Sequence, residues 1–132
     1  MISANGAQFE FAVRIDTARL RRLYPHVRET LIACGYQLTD TVPVVRVLER
    51  LIAKSIERDA RRLQVRVHVS GNEAHIEVID RRRLNPRASL PSEIVSRELA
   101  RTSGANPFGA GGGLVLWAIV DRSPHVDNPP AA

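Results

Sequence analysis

The sequence predicts an α+β fold, a two-layer sandwich in which a small mixed, mostly antiparallel sheet carries helices on one face. Two observations predict it. Apolar and polar residues alternate over residues 9–16, 63–70 and 74–78, as they do in half-buried strands. Between the first two of these runs, apolar residues recur at helical spacing from Leu20 to Leu31 and from Val44 to Ile56, which is the pattern of helices that cover one face of a sheet.

The chain has the size and composition of one globular domain. Its 132 residues are 44% hydrophobic and 25% charged, values typical of folded proteins. No repeat or long linker divides it, so we expect a single domain over 1–132 with its core at about 8–122. The proline-rich stretch 123–132 predicts a disordered tail.

Cysteine content and hydropathy predict a cytoplasmic protein without a membrane segment. Cys34 is the only cysteine, so no internal disulfide can form, and its apolar neighbours predict a buried thiol. The longest apolar run, Leu114 to Val120, is far shorter than the roughly 20 residues that cross a bilayer. The N-terminal residues lack the basic start and apolar stretch of a secretory signal.

The net charge of +5 and an isoelectric point near 10.6 raise the question of nucleic-acid binding. The arginines are dispersed among acidic residues, and only Arg81, Arg82 and Arg83 form a dense cluster. Since net charge bears on association and not on fold, nucleic acid is an alternative partner that ranks below protein.

The N-terminal half contains two predicted helices. Asp16 or Thr17 caps the first one, and Gly35 ends it. Pro25 lies within it, and because proline lacks an amide hydrogen the helix is either divided or kinked there.

The second helix is long. Thr41 is its predicted cap, Pro43 fits its first turn and the helix ends near Ala60. A hairpin follows, in which Gly71-Asn72 is the turn between two alternating runs.

The C-terminal third predicts helices and a loop. Ser92–Ala100 has the apolar spacing of a short helix, and a glycine-rich loop at 103–113 leads into an apolar helix at Leu114–Arg122. Trp117 on that helix is expected in the core. No histidine or cysteine shows metal-ligand spacing, so the sequence predicts no metal site.

This order of elements resembles the histidine-kinase-type ATPase (Bergerat) fold of gyrase, chaperone and sensor-kinase ATP domains. The resemblance covers roughly residues 8–122 and is nearest to the small bacterial anti-sigma-factor serine kinases. It implies that nucleotide lies between helices and sheet under a lid, here residues 85–108. It also implies one or two further strands after the last helix, so the sheet is expected to be truncated at its C-terminal strands.

The first family motif places a glutamate and a magnesium-binding asparagine on the long helix. In the register that matches the apolar residues, Arg50 and Lys54 occupy these two positions. A shift by one residue makes Glu49 the catalytic carboxylate but puts Ala53 at the metal-ligand position. Magnesium requires oxygen ligands, whereas the ammonium of Lys54 could neutralise a phosphate directly.

Of the other two family motifs, the aspartate motif is retained only in part and the glycine-rich motif is retained well. Asp80 stands where the family has an adenine-reading aspartate, but arginines replace the glycines that follow it. The stretch Gly109–Leu114, with Gly111, Gly112 and Gly113, resembles the family's glycine-rich element, and a glycine loop at a helix start predicts an anion site.

The resemblance therefore implies a protein-binding regulatory domain of anti-sigma-factor type without kinase turnover. Its expected partner is a sigma factor or an anti-sigma antagonist protein, and a homodimer is a further option. The alternatives are an ATP-dependent serine kinase and a nucleotide-binding sensor. No cofactor is required by the first interpretation, while ATP, with or without magnesium, is required by the alternatives.

Overall fold

The computed structural model describes residues 6–83, 90–91 and 94–122. Its elements, in chain order, are β1 (Ala7–Arg14), α1 (Thr17–Ala33), α2 (Leu38–Glu57), β2 (Arg62–Val69), β3 (Glu73–Asp80), β4 (Thr102–Phe108) and β5 (Gly113–Asp121). The five strands form one open sheet in the order β1-β2-β3-β5-β4. Every pair of neighbouring strands is antiparallel, so the α+β prediction is confirmed, while the described sheet contains no parallel pair.

Both helices pack on one face of the sheet and on each other. Helix α2 contacts β3 and β5, and α1 contacts β1 and α2. Helix residues such as Val27, Leu31, Leu48 and Leu51 are fully buried against the sheet. Each buried leucine contributes roughly 1.5–3 kcal/mol through loss of apolar surface to water. The opposite face of the sheet, which we call the open face, carries the polar residues of the strand alternation.

Helix α1 is one continuous helix from Thr17 to Ala33. Asp16 is its cap, because the carboxylate of Asp16 accepts a hydrogen bond of 2.8 Å from the amide of Arg19. Pro25 lies inside the helix without dividing it. Since Pro25 is exposed, water can satisfy the carbonyl that loses its amide partner. Gly35 follows the helix with φ of +100°, a conformation in which glycine is favoured.

Helix α2 begins earlier and ends earlier than its sequence predicts. It starts at Leu38, and the Asp40 carboxylate accepts a 3.3 Å hydrogen bond from the amide of Gln37 just before the helix. Thr41, predicted as the cap, is buried within the helix, where its hydroxyl donates to the Leu38 carbonyl. The helix ends at Glu57 rather than Ala60.

The secondary structure differs most from the sequence prediction in the C-terminal part of the chain. The predicted helix Leu114–Arg122 is instead the interior strand β5 (Gly113–Asp121), and much of the predicted glycine-rich loop belongs to strand β4 (Thr102–Phe108). The described residues of the predicted helix Ser92–Ala100, which are 94–100, contain only a turn. The sheet expected to lack its C-terminal strands thus gains its last two strands from these segments. The predicted tail, and parts of the predicted lid, lie outside the described residues.

Candidate functional site

The residues of the predicted nucleotide site are only partly brought together. Asp80 and the glycine run lie at the same end of the sheet, because Asp80 pairs with Leu114. A Cβ added to Gly113 would lie 2.5 Å from the Asp80 carbonyl oxygen, so this glycine permits the two strands to approach. Gly109 to Gly112 form the turn of the β4–β5 hairpin, with Gly109 and Gly112 at positive φ.

That turn precedes strand β5 and not a helix, which corrects the helix on which the predicted anion site was based. A helix start would present several free amides and a positive dipole end to a phosphate. Strand β5 instead engages its amides with β3 and β4 on both sides. Gly111 lies in open space in the turn, and phosphate binding by Gly109, Gly111, Gly112 and Gly113 stays a prediction without the support of a helix start.

The carboxylate of Asp80 is already engaged. It is 8% exposed and accepts hydrogen bonds of 2.8–3.2 Å from the guanidinium of Arg82 and one of 3.0 Å from the Arg82 amide. The same guanidinium donates to the carbonyls of Arg58 and Asp59, each at 2.6 Å. Arg58 and Asp59 directly follow the C-terminal end of α2, where a cation is favourable, and Asp59 holds a positive φ of 63°. Asp80 therefore positions Arg82, which fastens the end of α2 to the sheet.

Two candidate residues of the predicted site, Glu49 and Lys54, lie on α2. Glu49 is exposed and lies near Tyr24 of α1. The pKa of the Tyr24 phenol is raised mainly by its burial and further by the negative charge of Glu49. Lys54 is half-buried on α2. Within the described residues, no set of three metal-ligating side chains comes together.

A groove opens beside the middle of β1, the start of β2 and the end of β3. It has a volume of about 780 Å³, and we call it the basic groove. Its lining residues are Glu10, Phe11, Ala12, Arg61, Arg62, Leu63, Gln64, Ile79, Asp80, Arg81 and Arg82. The four arginines face only two carboxylates, and both carboxylates are already paired, one with Arg66 and the other with Arg82.

Two arginines of the basic groove have side chains without partners among the described residues. Arg61 and Arg62 are exposed, and Arg62 lies directly across from Arg14 on β1. Like charges directly opposite each other on neighbouring strands are destabilising. An anionic group bound between Arg14 and Arg62 would relieve this repulsion.

Arg81 is held in place before any ligand binds. Its guanidinium donates two hydrogen bonds, of 2.7 and 3.2 Å, to the side-chain oxygen of Gln64, and it lies 4.9 Å from the centroid of the Phe108 ring. A guanidinium fixed in this way loses little conformational entropy when it binds an anion.

The middle of the open face carries a network of polar and aromatic side chains. Arg66 binds Glu10 at 2.7 Å and Glu77 at 3.3 Å, and the Arg66 hydrogen bond is the main reason that the pKa of Glu10 is lowered. Trp117 lies on this half-exposed face and not in the core as expected. Its indole nitrogen donates to Asn106 at 2.6 Å.

A second groove lies between strand β1 and helix α1, and we call it the β1–α1 groove. It has a volume of about 270 Å³ and is lined by Phe11, Ala12, Val13, Arg19, Arg22, Leu23 and His26. No carboxylate lines it. Arg19 is paired with Asp16 at 3.2 Å, whereas the exposed Arg22 has no partner in the described structure.

A buried polar cluster joins the far end of β5 to the helices. The guanidinium carbon of Arg122 lies 4.6 Å from the ring centroid of Tyr36, one of its nitrogens donates to the Gly35 carbonyl at 2.6 Å, and another lies 3.5 Å from the carboxylate of Asp40. The cluster anchors the end of the sheet to the turn between α1 and α2. Cys34, predicted to be buried, is only half-buried beside it.

Neither a protein-family model nor a curated protein matches this sequence. None of the described helices is both long and apolar enough to span a membrane. The features that bear on function are therefore the basic groove, the β1–α1 groove and the engaged state of Asp80.

The basic groove was missed from the sequence because its arginines come from two separate segments. Arg61 and Arg62 are far from Arg81 and Arg82 in the chain, and the two pairs meet only through the pairing of β2 with β3. The one available signal was the dense run at 81–83, which was interpreted as a nucleic-acid contact and not as one wall of a groove.

Proposed function

We propose that this chain is a protein-binding regulatory domain that carries out no kinase turnover, and that its basic groove binds an acidic segment of the partner. The observation that supports the proposal is the excess of arginine in this groove, where Arg61 and Arg62 lack partners in the described structure and Arg81 is held ready. The resemblance to anti-sigma-factor domains implies a sigma factor or an antagonist protein as the partner.

Three features support the absence of turnover. Arg50 and Lys54 stand where phosphoryl transfer needs a carboxylate and an oxygen ligand for magnesium. Asp80 is engaged by Arg82, so its carboxylate is not available to a base. The turn at Gly109–Gly112 continues into a strand and offers no helix start to a phosphate.

A thermal-unfolding titration with ATP and ADP, each with and without magnesium, tests this part of the proposal. A ligand at a hundred times its dissociation constant adds about 2.7 kcal/mol to the free energy of unfolding. We expect no change in melting temperature at millimolar nucleotide. A rise that depends on magnesium would favour the serine kinase instead, and a rise without magnesium would favour a nucleotide sensor.

The partner class is tested by fluorescence anisotropy with a labelled eight-residue peptide in which pairs of glutamates alternate with pairs of valines, so that an extended conformation carries glutamates on both faces. We expect binding to the wild-type protein and a loss of at least tenfold in affinity in Arg62→Glu. Arg46→Glu is the matched control, because Arg46 is an exposed arginine of α2 outside both grooves, and it should bind as the wild type does. Equal affinity of the two variants would refute the basic groove as the site.

Single-stranded nucleic acid is the second candidate partner. Phosphates suit the same arginines, and Trp117 and His75 lie with their rings 6.1 Å apart on the same open face, where bases can stack. A labelled oligothymidylate that binds more tightly than the acidic peptide, with affinity falling steeply as salt is raised, would favour this candidate.

A further inference from the structure

Strand β1 lies at the edge of the sheet, with one side paired to β2. The amide of Ile15 donates to the carbonyl of Arg61 at 2.8 Å. Because hydrogen-bonded and non-hydrogen-bonded pairs alternate along an antiparallel ladder, the amides and carbonyls of Gln8, Glu10 and Ala12 point away from β2. No strand in the described part of the chain pairs with that side, so these groups are available for another strand.

The other edge of the sheet is less suitable. Strand β4 contains Pro107, which has no amide hydrogen to donate, and proline on an edge strand is a common protection against pairing. Strand β1 has eight residues, contains no proline or lysine, and alternates Phe9 and Phe11 with polar residues. Among the two edges, β1 is the one that can accept a further strand.

Positive charge lies on both sides of the β1 edge. The basic groove and the β1–α1 groove share Phe11 and Ala12, so they flank the same short stretch of backbone. An extended segment laid along this stretch would direct alternate side chains towards Arg62 on one side and towards Arg22 on the other.

We propose that β1 binds an extended acidic peptide as an added sixth strand, with main-chain hydrogen bonds to Gln8, Glu10 and Ala12 and acidic side chains in the two grooves. The inference rests on the proposed function and specifies how the partner is held. Main-chain pairing provides affinity in this mode of recognition, and the grooves for alternate side chains provide specificity.

The charges favour an acidic peptide over a second copy of this chain. Two copies joined through their β1 edges would bring their β1–α1 grooves together, and with them Arg19 and Arg22 of both copies. Like charges at such short range oppose association. An acidic segment meets the same arginines with the opposite charge.

The decisive variant is Ala12→Pro, tested with the labelled glutamate–valine peptide. Proline removes an outward-pointing amide and leaves the hydrogen bonds between β1 and β2 in place, and we expect the affinity to fall about tenfold. Arg46→Glu is again the control, because Arg46 is an exposed residue of α2 outside both grooves, and we expect affinity within about twofold of the wild type. Arg22→Glu should also weaken binding by at least fivefold.

A second peptide keeps the test valid if Ala12→Pro does not fold. A labelled peptide with proline in place of each valine has the same charge but cannot pair as a strand, and we expect it to bind the wild-type protein at least tenfold more weakly. Equal binding of the two peptides would show recognition by charge alone and would overturn the added strand.

The remaining outcomes separate this inference from the proposed function. If Ala12→Pro binds as the wild type does while Arg62→Glu has lost binding, the partner occupies the basic groove without strand pairing, and only the inference fails. If the wild-type protein binds neither peptide, both fail. A concentration-dependent dimer that Ala12→Pro abolishes would assign the edge to a second copy and overturn the peptide. Displacement of the peptide by oligothymidylate at lower concentration than by unlabelled peptide would assign it to nucleic acid.

Discussion

Replacing Gly104 with alanine tests the register of β4 against β5. Gly104 lies directly across from Trp117, and an added Cβ would be 2.6 Å from Cζ2 and 2.8 Å from Cε2 of the indole. Carbon atoms in contact prefer about 3.5–4.0 Å, so the ring must move by about 1 Å. Its indole nitrogen is held at 2.6 Å by Asn106, and this hydrogen bond opposes the movement.

Two opposing effects determine how Gly104→Ala changes the free energy of unfolding. Overpacking costs about 1–3 kcal/mol, and the lower flexibility of alanine in the unfolded chain returns about 0.4–1 kcal/mol. We therefore expect Gly104→Ala to lower the free energy of unfolding by about 0.6–2 kcal/mol, which for a domain of this size lowers the melting temperature by roughly 2–10 °C.

Urea unfolding followed by tryptophan fluorescence measures both effects, because Trp117 is the only tryptophan. The native emission spectrum should shift as the ring leaves its place over Gly104. Gly111→Ala is the control, since nothing lies within 4 Å of an added Cβ there, and it should change stability by less than about 0.5 kcal/mol. A Gly104→Ala protein with unchanged stability and emission would refute the register and the assignment of residues 113–121 to a strand.

Two further predictions concern charged side chains. Arg82→Ala should lower the free energy of unfolding, measured in urea, by about 1–3 kcal/mol, because it leaves the nearly buried carboxylate of Asp80 without its guanidinium partner. Arg83→Ala, at the neighbouring exposed arginine, is the control and should change this free energy by less than about 0.5 kcal/mol. Equal effects of the two variants would contradict the role of Arg82 in joining the end of α2 to the sheet. The hydrogen bond from Arg66 lowers the pKa of Glu10, so this carboxylate contributes stability that is present above the unfolded pKa of about 4.3 and is lost as pH falls through the lower folded value. Stability measured from pH 6 to pH 3 should therefore decline less steeply in Glu10→Gln, and parallel curves would argue against the interaction.

The N-terminal two-thirds of the fold could be predicted because each element there has a single-period pattern. In β1, β2 and β3 the alternation of apolar and polar residues shows which face of each strand is buried in the core, and the helical spacing of Val44 to Ile56 does the same for α2. The errors in this part are at helix ends, where Asp40 rather than Thr41 provides the side-chain hydrogen bond. Two capping candidates so close together are hard to distinguish without coordinates.

The last strand was predicted wrongly for a physical reason. Residues 114–120 are apolar at every position, because β5 lies between β3 and β4 and both of its faces are covered at least in part. Leu116 packs in the main core, and on the open face Val115 is 6% exposed beside Ile79 while Trp117 is half-buried. A continuous apolar run has no period from which to choose helix or strand. The glycine-rich stretch before it then favoured a helix start by resemblance, although it forms a hairpin turn.

The candidate site could be predicted less well than the fold. Asp80 was identified as a residue of interest, but its engagement by Arg82 depends on the position of the α2 end. The grooves beside β1 depend on strand register and on the placement of α1, which no local pattern in the sequence encodes. Residues that act together across separate strands become visible only once the strands are aligned.

The connectivity of the sheet has a consequence for the order of folding. Strands β2 and β3, and likewise β4 and β5, are neighbours in sequence, whereas β1 reaches β2 only after the whole of α1 and α2. The entropy lost on closing a loop increases with its length, so the two hairpins can form early and β1 closes the longest of these connections. Strand β1 is then expected to join the sheet after the folding transition state, and to be the first strand released when the native domain opens locally.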